Sequence, residues 1–230
     1  MNKQSAVSFN DMKQVRCVLF DLDGTLYYSW EYSQRVEEEI VNFVAAEISM
    51  PYGDARLLLD ERRKTLGTLT SSLESLGIDR AKFFDSMAAR IEPSEYLLED
   101  PAVRAAIAKL KQHGFRVGLV SNSGKPLVDK ILRALHLDSS IFDVIVTSSD
   151  ARPKPYPDPF LLSLDLLKCA RKSAIYVGDR DEAELRPAKE LGIRTILMDR
   201  SGKSSKQWAD VAVRKISEIP DIAMKMLSKP

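Results

Sequence analysis

The chain has 230 residues, 44% of them hydrophobic, and 34 Lys+Arg set against 33 Asp+Glu leave a net charge of +1. That length accommodates one large domain or a core carrying a smaller insert, and the balanced charge argues against a nucleic-acid polymer or a membrane surface as partner. No apolar run is long enough to span a bilayer, residues 1–10 lack the apolar segment of a signal peptide, and two cysteines far apart in sequence, Cys17 and Cys169, give little support to a disulfide. A cytoplasmic protein with buried or incidental thiols is expected.

From Arg16 onward, short apolar runs alternate with longer helical patterns, the sign of βαβ units around a parallel sheet. Strands are predicted at 17–20, 116–120, 144–147, 174–177, 194–197 and 211–213. The segment 100–113 carries apolar residues at Val103, Ala106, Ile107 and Leu110, a helical stripe that Gly114 would stop. Helices are also predicted at 158–167 and 182–191, with a short terminal helix over 219–230. Residues 28–99 break the rhythm: Val36, Ile40, Phe43, Val44 and the stretch 55–66 give helical faces, Met50-Pro51-Tyr52-Gly53 and Leu76-Gly77-Ile78-Asp79 give turns, and no strand is evident. An all-helical insert after the first strand would stand over that strand's carboxyl end as a lid.

Four segments at strand ends carry the chemistry. Asp21 and Asp23 follow the first strand, with Gly24 next to Asp23, and Asp179 follows the fourth beside Gly178. In an open parallel sheet, ligands bind outside the carboxyl ends of the strands, so these acids converge on one crevice. Two such charges about 4 Å apart would repel by roughly 4 kcal/mol at an effective dielectric near 20. A hard divalent cation such as Mg²⁺ would offset that in an all-oxygen site. Of the Asp21/Asp23 pair, one carboxylate is a candidate nucleophile and the other a candidate proton carrier. Ser121, with backbone amides around Asn122 at the mouth of a helix, is a candidate phosphate ligand. Lys154 sits in the proline-stiffened run 152–160, where a fixed ammonium could neutralise Asp21 and a transferring phosphoryl group. Taken singly, these segments also fit a strand-ending turn, a helix cap and a solvated lysine; their common placement at strand ends favours a site. Asp181 and Glu182, near a helix start, are expected to be structural.

In this order, Asp21-Leu22-Asp23-Gly24-Thr25, Ser121-Asn122, Lys154 and Gly178-Asp179 resemble the four motifs of the haloacid dehalogenase-like hydrolase superfamily. The resemblance implies a three-layer α/β/α core with a Rossmann-like parallel sheet at 1–27 and 100–230, and a helical cap at 28–99 inserted after the first strand. It implies Mg²⁺-dependent phosphoryl transfer to Asp21 as nucleophile, with Asp23 as acid and base, and Thr25, Ser121, Asn122 and Lys154 around the phosphate. Asp21, the backbone carbonyl of Asp23, Asp179 and an acid in the fourth motif would hold the metal. That last acid is commonly aspartate but here aligns with Glu184, with Asp181 or Glu182 as substitutes. Dehalogenation is disfavoured, because Asp23 is the acid an alkoxide leaving group needs. The expected substrate is a small phosphate monoester: a nucleotide monophosphate, as the likeness of the cap to pyrimidine 5′-nucleotidases implies, phosphoglycolate or a sugar phosphate. A phosphomutase and a weakly catalytic phospholigand-binding protein are the alternatives, and a homodimer is left open. His113 and His136 lie away from the motifs. Trp30, Tyr32 and the basic group Arg62-Arg63-Lys64 are candidates for the substrate mouth, with packing and solvent as their ordinary roles.

Overall fold

In the computed structural model, which describes residues 15–203 and 206–227, six strands form one parallel sheet. They are β1 (Arg16–Phe20), β2 (Phe115–Val120), β3 (Val144–Val146), β4 (Ala174–Gly178), β5 (Arg194–Met198) and β6 (Val211–Val213), in the order β3-β2-β1-β4-β5-β6. The chain winds outward from β1 to β3, then returns to lay β4 on the other side of β1. This reversal puts the topological switch point, where such sheets bind ligands, between β1 and β4.

The two central strands are apolar throughout because both faces are covered. Val18, Phe20, Ile175 and Val177 enter one apolar cluster, while Cys17, Leu19, Ala174 and Tyr176 enter the other, as the two-residue strand period requires. The first cluster includes residues of α5 (Pro101–Gln112), α6 (Lys125–Ala134) and α9 (Ile219–Leu227); the second includes residues of α7 (Asp158–Leu166) and α8 (Arg186–Glu190). The result is an α/β/α sandwich. Val103, Ala106, Ile107 and Leu110 of α5 are buried as their spacing predicts, and Gly114, at φ +78°, follows the helix.

Between β1 and β2 lie α1 (Trp30–Glu47), α2 (Tyr52–Leu66), α3 (Leu69–Ser75) and α4 (Arg80–Arg90). Ser29, Thr68 and Asp79 begin α1, α3 and α4 by accepting backbone N–H groups of Tyr32, Ser71 and Lys82 at 3.1, 3.0 and 2.8 Å. Pro51 and Tyr52 do more than turn the chain. The Pro51 carbonyl accepts the Ala55 N–H at 2.9 Å, so α2 starts within the predicted turn. The insert joins the sandwich through α4 and α6. A Cβ on Gly124, which precedes α6, would overlap the Phe84 ring, so only glycine admits this close approach.

The segment after β4 departs from the predicted helix 182–191. Residues Asp181–Leu185 form a wide π-turn before α8. Pro187 has no N–H to bond back along an α-helix, and the Arg186 N–H reaches five residues back to the Asp181 carbonyl. The reading of residues 1–10, and the last three residues of the predicted 219–230 helix, fall outside the described residues. Among the described residues no helix is long and apolar enough to cross a membrane.

Candidate active site

Asp21 continues the ladder beyond β1, its N–H donating to the Val177 carbonyl at 2.8 Å. The chain then turns, with the Leu26 N–H bonded to the Leu22 carbonyl at 3.0 Å. Gly24 has φ +83°, and a Cβ on it would overlap Asp179 Oδ2. Both the backbone angle and the approach of Asp179 therefore exclude other residues. Arg200 steadies the same loop by donating to the Thr25 carbonyl at 2.8 Å.

Lys154 is the hub of the site and is only 2% exposed. Its ammonium pairs with Asp21 Oδ1 and donates to Glu184 Oε1 and the Tyr176 hydroxyl, both at 2.8 Å, and to the Val120 carbonyl at 3.1 Å. The loop carrying it is clamped by Asn122, whose Oδ1 accepts the Lys154 N–H at 2.8 Å while its Nδ2 donates to the Lys154 carbonyl at 2.9 Å. The Asn122 side chain thus engages the lysine loop. Ser121 is buried at the end of β2, where its hydroxyl accepts the Ser123 N–H at 3.1 Å. Thr25 is fully buried, and its hydroxyl has no hydrogen-bond partner among the described residues.

Asp21, Asp179 and Glu184 bring carboxylate oxygens within 4.8 Å of one another. Asp179 Oδ1 and Glu184 Oε2 are buried without hydrogen-bond partners among the described residues. With Lys154 as their ammonium partner, the three acids would retain two negative charges when ionised. Burial, then the charge of Glu184, pushes Asp179 up to about 7, against an opposing pull from Arg180. Burial and Glu184 likewise hold Asp21 well above the carboxylate range, although Lys154 opposes them. Burial disfavours the Lys154 charge, but Asp21 and Glu184 overcome it and keep the ammonium protonated well above its ordinary range. A cluster of oxygen ligands with unspent lone pairs and surplus negative charge fits a hard dication of the Mg²⁺ type.

Asp23 stands apart from that cluster. Tyr27 donates its hydroxyl to one Asp23 oxygen, and Ser123 approaches the other at 3.4 Å. Burial raises the Asp23 pKa, and the Tyr27 hydrogen bond works against the rise. Of the acids after β4, Asp181 accepts the backbone N–H groups of Gln207 and Trp208 at 2.9 and 3.0 Å, and Glu182 accepts the Trp208 indole N–H at 2.9 Å. Both tie down a loop, and Glu184 is the one that meets Lys154. Neither Tyr27 nor Tyr176 is singled out by sequence reasoning; for Tyr176 a signal exists, because a tyrosine inside an aliphatic strand needs a partner for its hydroxyl, whereas Tyr27 lies in the loop before α1. Trp30 is 60% exposed, whereas Tyr32, Arg63 and Lys64 line a cavity of about 660 Å³ that also reaches Asp23, Asn122 and Lys154.

Comparison with known proteins identifies the family. Residues 18–198 match the haloacid dehalogenase-like hydrolase family. The phosphoglycolate phosphatase of Aquifex aeolicus is 30% identical over 224 residues, covering 94% of this chain and 93% of its own length. The glyceraldehyde 3-phosphate phosphatase of Pyrococcus furiosus is 22% identical, covering 92% and 94%. Among solved structures, a haloacid dehalogenase-like phosphatase from Thermococcus onnurineus superposes with a TM-score of 0.67 at 23% identity, over 90% of this chain and 97% of that one. With its acids and lysine gathered at the switch point of a parallel sheet, this chain belongs to the haloacid dehalogenase-like hydrolase family.

Proposed function

We propose that the protein is a Mg²⁺-dependent phosphatase that hydrolyses small phosphate monoesters through an aspartyl phosphate on Asp21. The observation that carries this reading is a buried carboxylate with one oxygen held by a buried lysine and two further carboxylates beside it. Asp21, Asp179 and Glu184 would hold the metal, which when bound supplies charge neutralisation for the phosphoryl oxygens.

Lys154 keeps Asp21 Oδ1 in place and leaves the other oxygen to attack phosphorus. A bond forms between that oxygen and phosphorus while the ester P–O bond breaks, and the departing alkoxide takes a proton from Asp23. Tyr27 and Ser123 fix the Asp23 carboxyl for this transfer. In the second half, Asp23 takes a proton from water, the water oxygen bonds to phosphorus and the bond to Asp21 breaks, releasing inorganic phosphate. Ser121 and Thr25, whose hydroxyl is unpartnered among the described residues, would donate to phosphoryl oxygens. Asn122 contributes by holding the lysine loop, leaving only its backbone amide for the phosphate. The helical segment 28–99 serves as the cap over this chemistry.

The named relatives act on phosphoglycolate and glyceraldehyde 3-phosphate, which supports the monoester class. A cytoplasmic location is in keeping with two free, buried cysteines. The test is phosphate release from para-nitrophenyl phosphate with and without Mg²⁺, using Asp21→Asn as the control. Turnover that needs Mg²⁺ and disappears in Asp21→Asn is expected. Turnover retained in that variant would remove Asp21 as the nucleophile.

A further inference from the structure

The only two cysteines of the chain, far apart in sequence, meet at the end of the sheet where the strands begin, away from the candidate active site. Cys17 is the second residue of β1 and lies in register with Ala174, the first residue of β4. Cys169 stands in the turn that leads from α7 towards β4, where its N–H donates to the Leu164 carbonyl at 3.0 Å. Its sulfur lies 3.3 Å from the Val15 carbonyl oxygen and 3.6 Å from that of Ser173, so it rests against the entry of β1 on one side and of β4 on the other. Cys17, Cys169 and Ala174 belong to one apolar cluster, and the two thiols hydrogen-bond each other.

The two thiols are not equivalent. Cys17 is fully buried, whereas Cys169 keeps 8% of its surface. The hydrogen bond to Cys169, and then burial, push the Cys17 thiol far up, so it stays protonated. The same hydrogen bond pulls Cys169 down against its own burial, helped by the Cys17 backbone N–H and by Arg116. Arg116 is the register partner of Cys17 on β2, and its guanidinium donates to the Leu167 carbonyl at 2.8 Å, next to the turn that carries Cys169. A thiol at the surface edge, beside a guanidinium and a second thiol, has the surroundings of a reactive cysteine, while a fully enclosed thiol touching it is placed to resolve what forms there.

We propose that Cys17 and Cys169 form a reversible redox site, in which hydrogen peroxide oxidises the pair to a disulfide that clamps β1 to the entry of β4. The Cys169 thiolate attacks one peroxide oxygen and the O–O bond breaks. Cys169 becomes a sulfenic acid, and the other oxygen leaves as hydroxide, which takes up the proton Cys169 had released and becomes water. The Cys17 sulfur then bonds to the Cys169 sulfur, the S–O bond breaks, and the departing hydroxide takes the Cys17 proton. Two thiols and one peroxide thus give one disulfide and two waters, the sulfurs being oxidised and the peroxide reduced. In a reducing compartment the pair rests as free thiols, and a disulfide there is transient. The bond closes a loop that holds most of the chain, which restricts the unfolded state far more than the folded one. Asp21 and Asp179 stand past the opposite ends of the same two strands, so the clamp acts on stability.

The experiment treats the native protein with a small excess of hydrogen peroxide, then counts thiols after denaturation, weighs the intact chain, maps its peptides and records Tm. Joint loss of both thiols, a mass lower by two hydrogens, a crosslink between the peptides carrying Cys17 and Cys169, and a Tm raised by roughly 5 °C or more are expected, all reversed by dithiothreitol. In Cys17→Ala the resolving thiol is gone, so Cys169 should stop as a sulfenic acid that dimedone captures. Native protein that keeps both thiols under peroxide sufficient to oxidise dithiothreitol, a Cys169 driven to sulfinic acid while Cys17 stays reduced, or a disulfide between two chains overturns the proposal. An internal disulfide that fails to raise Tm overturns the clamp, and a Cys17→Ala protein that dimedone does not label overturns Cys169 as the attacking thiol.

Discussion

Replacing Lys154 with methionine would keep the apolar stem and remove only the charge that Asp21 and Glu184 share. Because Lys154 is only 2% exposed, solvent does not stand in for its ammonium. Removing one partner from a buried ion pair typically costs about 3–5 kcal/mol, since the remaining charge stays buried without compensation. The loss should depend on pH. Asp179 is pushed up to about 7 and Asp21 is also raised, and Lys154 is one of the influences lowering both. A carboxyl whose folded pKa lies above its unfolded value contributes stability that is present at low pH and is lost as pH rises through the folded value. Without the lysine both values climb further, so Lys154→Met should be most destabilised at about pH 8 and recover much of the loss at about pH 5, where protons take over the neutralising role. Mg²⁺ bound at the acids should do the same at high pH, and so should stabilise the variant more than the native protein. Urea unfolding at both pH values, with and without Mg²⁺, measures all three effects. An equal loss at both pH values, or a Mg²⁺ effect no larger in the variant, would refute the view that surplus negative charge governs this site.

With Mg²⁺ on Asp179 as proposed, protons would compete with it there, so the Mg²⁺-induced rise in Tm should grow between about pH 6 and about pH 8; a flat profile would contradict a metal bound by Asp179. Glu184→Gln removes a charge that raises the pKa of both Asp21 and Asp179. It should make the metal-free protein more stable above neutral pH and weaken Mg²⁺ binding by about tenfold in calorimetry, or about 1.4 kcal/mol. Unchanged affinity would take Glu184 out of the metal site. Gly24→Ala forces a left-handed residue and a clash with Asp179. A loss of stability of about 1–2 kcal/mol from the backbone alone is expected, with turnover falling further than stability; full turnover would show that the Asp179 position tolerates displacement.

Much of this architecture is legible in the sequence because its determinants are local. A strand buried on both faces must be apolar along its whole length, which is why 17–20 and 174–177 stand out, and acids at the ends of both runs are informative because the two ends share one crevice. The helical insert is legible for a similar reason: its caps Ser29, Thr68 and Asp79 lie beside the helices they start. Partnerships across the sheet are different. Tyr176 reads as one more core aromatic until β4 is laid beside β1, and only then does its hydroxyl meet Lys154. Asn122 reads equally well as a phosphate ligand or a loop clamp, because the choice depends on where the proline-rich loop passes.

The acids after Asp179 illustrate how one residue type settles what a motif leaves open. In an unbroken α-helix, Asp181 and Glu184 would share a face three residues apart, and both would compete for Lys154. Pro187 cannot donate a backbone hydrogen bond, and the turn before it widens. Across that wide turn Asp181 faces the Gln207 and Trp208 amides, while Glu184 faces the lysine. The longer side chain matters here as well. Gly178 leaves open the space that Glu184 Oε2 occupies, since a Cβ on that glycine would come within 2.5 Å of the oxygen. The longer glutamate side chain is thus matched by a missing side chain on the strand opposite, which leaves room for its carboxylate beside Lys154.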